Sequence, residues 1–336
     1  MKILITGSQG FIGSYICKEL LSNDYNVIGV DNYSKYGKVV RPHDTHPNFK
    51  LYVADVKDID FLGIVHSERP DIIIAGAAMI GGISYFHKYA YDLLAYNERV
   101  IANTFDAAIF GHQEGYLKRI IVLSSSMVYE NTDIYPTPES SLDYTAPPSS
   151  TYGFQKLSCE YFAKGAWEQY KLPYSIVRPF NCVGVGEEDS ICEHEITSGN
   201  IKLMMSHVLP DLVNKIIKGQ NPVHILGCGD QVRCYTNGSD LARGIRLVIE
   251  SENAINNEFN LSTPIATTVL ELAEIIWNIL KPNEDFNYVC ETGFEYDVQK
   301  RIPDISKAKE ILGFEANVSL KDSVTEVIKY MKSKEK

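Results

Sequence analysis

Short runs rich in β-branched residues alternate with longer stretches of helical spacing over the first half of the chain. The runs KILIT, NVIGV, KLYV, DIIIA, RIIVLS and YSIVR are apolar almost without interruption, as strands covered on both faces must be. Between them, Phe11 to Ser22, Asp58 to His66, Ala90 to His112 and Tyr152 to Tyr170 place apolar residues at three- and four-residue intervals, which predicts helices. Strand and helix in turn predict an α/β fold built on a doubly wound parallel sheet over about the first 180 residues.

Beyond Arg178 the alternation lapses. GVGEEDSICEHEITSGN reads as a polar loop, followed by a helix over His207 to Lys218, a strand in PVHIL, and helices near Ser239 to Ile249, Val269 to Leu280, Ser306 to Leu312 and Leu320 to Met331. The pattern predicts a Rossmann-type domain over residues 1–180, its sheet and helices completed by parts of 220–265, and a smaller, interleaved C-terminal substrate-binding lobe over most of 181–336. The final KSKEK reads as a frayed, solvated helix end.

Composition narrows the class. A chain of 336 residues, 45% hydrophobic and 22% charged, can bury a large core. A net charge of −11 excludes a general nucleic-acid binder, which needs a basic surface; an anionic substrate would need local arginines. The opening MKILITGSQGFIG holds one lysine and a short apolar run broken by glycines, matching neither a signal peptide nor a membrane span. A soluble, cytoplasmic protein without a membrane partner is expected. Seven scattered cysteines with no C-x-x-C pair suit reduced thiols. Cys192 and His194 alone are too few for a closed zinc site, so no metal is expected.

The first chemical motif is TGSQGFIG, where Gly7, Gly10 and Gly13 follow the strand KILI and open a helix. Glycines there permit a tight turn and let backbone N–H groups approach a pyrophosphate at the helix N-terminus. Asp31 ends the next strand, 18 residues after Gly13, where a carboxylate accepts hydrogen bonds from ribose hydroxyls and repels a 2′-phosphate. NAD is therefore expected in preference to NADP.

The second motif is STYGFQK. If Ser150 or Thr151 caps a helix, Tyr152 and Lys156 share one face, where an ammonium favours the anionic form of a phenol. By itself this spacing favours a solvated tyrosine beside a surface lysine. Ser124, Ser125 and Ser126 close the strand RIIVL, at the sheet edge where ligands bind in such folds, although serines also serve turns there.

Together TGSQGFIG, VDNYS, ADV, SSSMVY, YGFQK, RPFNCVG, SHVLP, GDQVRCYTNGSDLA and RIPDISKAKEILGF resemble the extended short-chain dehydrogenase/reductase family, specifically its nucleotide-sugar epimerases and dehydratases, over nearly the whole chain. The resemblance implies a catalytic triad of Ser125, Tyr152 and Lys156. It also implies cofactor contacts from Gln9, Phe11 and Ile12 beside the glycines, from Asn32 beside Asp31, and from Asp55 and Val56 at the adenine. Ala77, Ala78, Asn97 and Ser124 would border the same dinucleotide, and Gly81, Gly82, Ser126, Asn181, His207, Arg233 and Arg301 would face the substrate.

By this resemblance, Tyr152 takes a proton from a sugar hydroxyl, most simply at C4, as hydride leaves that carbon, while Lys156 binds the nicotinamide ribose and Ser125 the reacting oxygen. Dehydratases of the family carry an acidic pair after the catalytic serine or threonine; Ser126 and Met127 stand there, which argues against a dehydratase. GDP-fucose synthase and GDP-mannose 3,5-epimerase, which AAMIGGI resembles, use a cysteine at the position of Met127. His207 matches the second acid/base histidine of GDP-fucose synthase, a position that only contacts substrate in plain 4-epimerases, so a 3- or 5-epimerase stays open. A 4-epimerase is the simplest outcome, since the keto sugar need only present its other face.

Asn181 and Arg233 match family positions that hold the nucleotide diphosphate, to which arginine offers paired donors; Arg301 suits the same role or a surface one. The base is not specified by any motif. Apolar faces in YDLLAY and CEYFAKGAW suit either packing on the sheet or the four-helix bundle through which family members form homodimers. A dinucleotide-sensing protein without catalysis is the remaining alternative, and its usual mark is loss of the tyrosine or lysine, both retained here.

Overall fold

The computed structural model describes residues 1–80, 89–187, 197–198, 201–202, 207–293 and 298–334. Seven parallel strands form its central sheet: β1 (Lys2–Thr6), β2 (Asn26–Asp31), β3 (Phe49–Val53), β4 (Ile72–Ala75), β5 (Arg119–Leu123), β6 (Tyr174–Pro179) and β7 (Asn257–Leu261). Their order is β7-β6-β5-β4-β1-β2-β3, so the chain reverses direction across the sheet between β1 and β4. In open sheets of this kind the crevice beyond the strand carboxyl ends at that reversal is where ligands bind.

Alternate residues of each strand feed opposite cores. Ile3, Ile5, Val27, Ile72, Ile74 and Ile121 pack with Phe11, Ile16 and Leu20 of α1 (Phe11–Leu21) and Leu241, Ile245 and Val248 of α6 (Gly238–Glu250). On the other face Leu4, Ile28, Val30, Ile73 and Val122 pack against α2 (Asp60–Glu68), α3 (Ala90–Gln113) and α4 (Thr151–Tyr170). Burial on both faces explains why these strands read as unbroken apolar runs.

A third core lies in the C-terminal half. Leu209, Leu212, Val213 and Ile216 of α5 (Val208–Ile217), Leu272, Ile276 and Trp277 of α7 (Val269–Leu280), and Val324, Val327 and Ile328 of α9 (Leu320–Lys334) enclose Val223 and Ile225. The short helix α8 (Ser306–Leu312) instead sends Ala308 and Leu312 to the sheet core. No described helix is long and apolar enough to cross a membrane.

Three details differ from the sequence reading. β7 pairs in parallel with β6 from Asn257–Ser175 to Leu261–Pro179, although NEFNL is no apolar run. As the edge strand it keeps polar groups: Glu258 meets Lys307 at 2.9 Å, and the Asn260 amide donates to the carbonyls of Thr137 and Asp304. Within the expected polar loop, Thr197–Ser198 pairs with Ile201–Lys202; the other residues of 188–200, Cys192 and His194 included, lie outside the described residues. Helix α9 continues to Lys334, past the expected end at Met331 and into the segment expected to fray.

Candidate active site

The glycine turn is shaped by close backbone approach. Gly7 leaves β1 with φ +76, and a Cβ on Gly13 would stand 2.0 Å from the Gly7 carbonyl oxygen, a distance no side chain tolerates. Gly10, the N-cap of α1, offers no capping side chain, so the helix presents its amide end to the crevice. Asp31 accepts from the backbone N–H groups of Gln9 at 2.9 Å and Tyr33 at 2.8 Å; burial pushes its carboxyl up, against those hydrogen bonds. Asp55 accepts from Asn32 at 2.9 Å, Tyr96 at 3.0 Å and Lys57 at 2.5 Å. Burial alone would raise that carboxyl, but Lys57 and its other donors hold it below the usual range.

Across the crevice, the Ser150 hydroxyl accepts the Gly153 N–H at 3.0 Å and caps α4, and Glu130 accepts from both the N–H and the hydroxyl of Ser150 at 2.9 Å. The cap places Tyr152 in the first turn and Lys156 one turn on, where the buried Lys156 ammonium donates to the Leu123 carbonyl at 3.0 Å. The three serines are not equivalent. Ser124 donates to the buried Glu160 at 2.6 Å, and Ser126 is buried; Ser125 is half-buried and its hydroxyl accepts a 3.2 Å contact from the Met127 N–H.

The C-terminal half closes the crevice. Asn181 adopts φ +30, uncommon for a residue with a side chain, and its buried amide oxygen has no hydrogen-bond partner among the described residues. Arg233 and Arg301 come from adjacent segments joined by the Arg301 N–H to Val232 carbonyl bond at 3.0 Å. His207 precedes α5 at its N-cap without making a side-chain cap bond; its Nδ1 lies 2.5 Å from Glu187 Oε1.

These groups line one cavity of about 410 Å³. Gly7, Gln9, Gly10, Phe11, Ile12, Gly13, Asp31, Asn32, Asp55, Val56, Ala77 and Ala78 line it together with Ser124, Ser125, Ser126, Tyr152, Lys156, Asn181, His207, Arg233 and Arg301. Asn97 stands behind the wall: it is buried and clasps the Met79 backbone through bonds of 2.7 and 2.9 Å. Gly81 and Gly82 lie outside the described residues. Lys35, Tyr36, Lys215 and His224 also line the cavity and were not singled out from sequence. Of these only Lys35 carried a signal, its place four residues after Asp31.

A doubly wound sheet with a glycine turn, a carboxylate at the end of the second strand and a Tyr-Lys helix facing them defines a dinucleotide-dependent enzyme. The NAD dependent epimerase/dehydratase family model matches residues 3–262, and the chain belongs to that family. It is 27% identical to an uncharacterised UDP-glucose epimerase of Bacillus subtilis, over 99% of this chain and 98% of that protein. It is likewise 27% identical to a UDP-glucuronic acid decarboxylase of Arabidopsis thaliana, over 98% of this chain and 68% of that one. Among solved structures, a UDP-glucose 4-epimerase of Thermotoga maritima with UDP-glucose superposes with a TM-score of 0.84 at 28% identity, covering all of both chains.

NAD is the family's cofactor, and the residues fit it. The turn that no side chain can enter at Gly13 and the uncapped amide end of α1 would suit a pyrophosphate, and the carboxylate of Asp31 would suit ribose hydroxyls.

Proposed function

We propose that the protein is a 4-epimerase of a nucleoside-diphosphate sugar. The observation that carries the reading is the convergence of Ser125, Tyr152 and Lys156 on the cavity that the glycine turn also lines. NAD, when bound, supplies the acceptor and later the donor of the hydride at C4. Tyr152 takes the proton of the C4 hydroxyl and returns it, Ser125 holds the same oxygen by a hydrogen bond, and the Lys156 ammonium stabilises negative charge on the phenol oxygen. Buried Arg233 and neighbouring Arg301 suit the diphosphate, and the Asn181 oxygen, without a partner among the described residues, suits a hydroxyl donor of the sugar.

Ser126 and Met127 offer no carboxylic acid to expel water, which favours simple inversion at C4 over dehydration. The UDP-glucose epimerases among its relatives make UDP sugars the first substrates to try. A 3- or 5-epimerase is the second reading, favoured by the Glu187 bond to His207. Incubation with NAD and UDP-glucose, UDP-galactose, UDP-N-acetylglucosamine or UDP-glucuronic acid in deuterium oxide tests both. Interconversion at C4 without solvent deuterium in the sugar is expected. Deuterium at C3 or C5 would promote the second reading, and a 4-keto-6-deoxy product or release of carbon dioxide would replace both.

We further propose a homodimer through α3 and α4, whose Tyr91, Phe154 and Tyr161 are exposed. Sedimentation of Tyr161→Glu, expected as a monomer where the unmodified chain is a dimer, tests it.

A further inference from the structure

Glu187 follows β6 by eight residues, in a loop with no periodic pattern. Its side chain is 3% exposed, whereas that of His207, which lines the cavity, is 36% exposed. A carboxylate so buried needs compensation, and the surroundings supply it from two segments. Glu187 accepts from the His207 backbone N–H as well as facing its Nδ1, and the Lys35 ammonium of the loop after β2 adds positive charge. Burial alone would raise the carboxyl, yet His207 first and Lys35 next hold it below the usual range.

The rest of the neighbourhood supports an anion at this point. The preceding carbonyl, that of Gly186, accepts from the buried Arg41 guanidinium at 3.1 Å. Lys35 packs over the Tyr36 ring at 4.9 Å.

A merely structural His207 would turn its ring onto the amides of α5, as N-cap side chains do. It makes no such bond. A buried ion pair is also weak evidence of added stability, because desolvation offsets the attraction. The arrangement instead matches the general logic by which a carboxylate on one ring nitrogen fixes the tautomer and the working atom of a histidine.

We propose that Glu187 is the positioning residue of this site: it accepts the Nδ1 proton of His207, so that the ring meets a bound nucleotide sugar through Nε2. The positive charge of Lys35, in the loop after β2, favours the ionised carboxylate at this point. In the neutral ring Nε2 is a hydrogen-bond acceptor and base; once protonated there, the imidazolium remains balanced by the carboxylate. That the ligand is a nucleotide sugar rests on the function proposed above, whereas the pairing of the two residues does not.

The test is a long-range proton–nitrogen NMR spectrum of the full chain labelled with 15N-histidine, without NAD or substrate, in which His207→Asn assigns the signal. The Nδ1–H tautomer of neutral His207 is expected to exceed the Nε2–H tautomer at least about tenfold, one unit of the one to three that a close opposite charge supplies. Glu187→Met should abolish this preference and Glu187→Asp should retain it. A dominant Nε2–H tautomer in the unmodified chain overturns the proposal even if Glu187→Met does not fold, and so does an unchanged tautomer ratio in a folded Glu187→Met. Absence of turnover with every UDP sugar would count against the 4-epimerase reading and leave this spectrum, and the role it assigns to Glu187, untouched.

Discussion

The Lys156 ammonium donates a 3.0 Å hydrogen bond to the carbonyl of Leu123, the last residue of β5. That bond pins the first turns of α4 to the strand end that leads into Ser125. It holds a cation in the wall of the cavity one helical turn from Tyr152. Replacing Lys156 by Met preserves the stem's packing and removes the charge. We expect kcat to fall by about 10²- to 10⁴-fold, the usual worth of an acid–base assembly, with a loss of stability of about 1–3 kcal/mol from the unpaired Leu123 carbonyl. Steady-state kinetics beside a melting curve separate the two effects.

Gly13→Ala forces a methyl to within 2.0 Å of the Gly7 carbonyl oxygen, a contact only backbone movement relieves. The expected cost is about 1–3 kcal/mol or more, with loss of NAD affinity because the turn itself must shift. Gly165 in α4 is the control: a Cβ there meets nothing within 4 Å, so Gly165→Ala should stabilise by about 0.5–1 kcal/mol. Urea unfolding and NAD titration of the two variants check both signs.

His43 gives stability a pH dependence below neutrality. It is buried against Phe49, with ring centroids 4.7 Å apart. Its Nε2 lies 3.8 Å from Asp44, too far for a hydrogen bond. Burial lowers it to about 4, with Asp44 opposing and Arg41 assisting. The unfolded chain protonates such a ring near about 6.5, so its effect is absent above that pH and stability falls as the pH drops from there towards 4. The difference in urea midpoint between pH 7 and pH 5 should be smaller in His43→Asn than in the unmodified protein.

The parts legible in the sequence are those whose physics is local. Strands such as KILIT and RIIVL declare themselves because both faces are buried, and the glycine turn and Asp31 because a fixed spacing follows from strand, turn and helix. NEFNL escaped because an edge strand can hold Asn260 in hydrogen bonds instead of apolar packing. Asn97 was expected beside the cofactor, yet its amide holds the Met79 backbone and reaches the cavity only through it. Glu187 gave no signal at all: one carboxylate in a loop of an acidic chain acquires meaning only when the fold brings His207 against it.

The central claim is that the Tyr152 hydroxyl handles the proton of the oxidised sugar hydroxyl. It is tested most directly by Tyr152→Phe, which removes one oxygen, assayed by NMR for interconversion of UDP-glucose and UDP-galactose, or of whichever UDP sugar the unmodified protein turns over. The account predicts a loss of at least about 10²-fold in kcat with NAD binding and thermal stability retained. Turnover at the unmodified rate would contradict it.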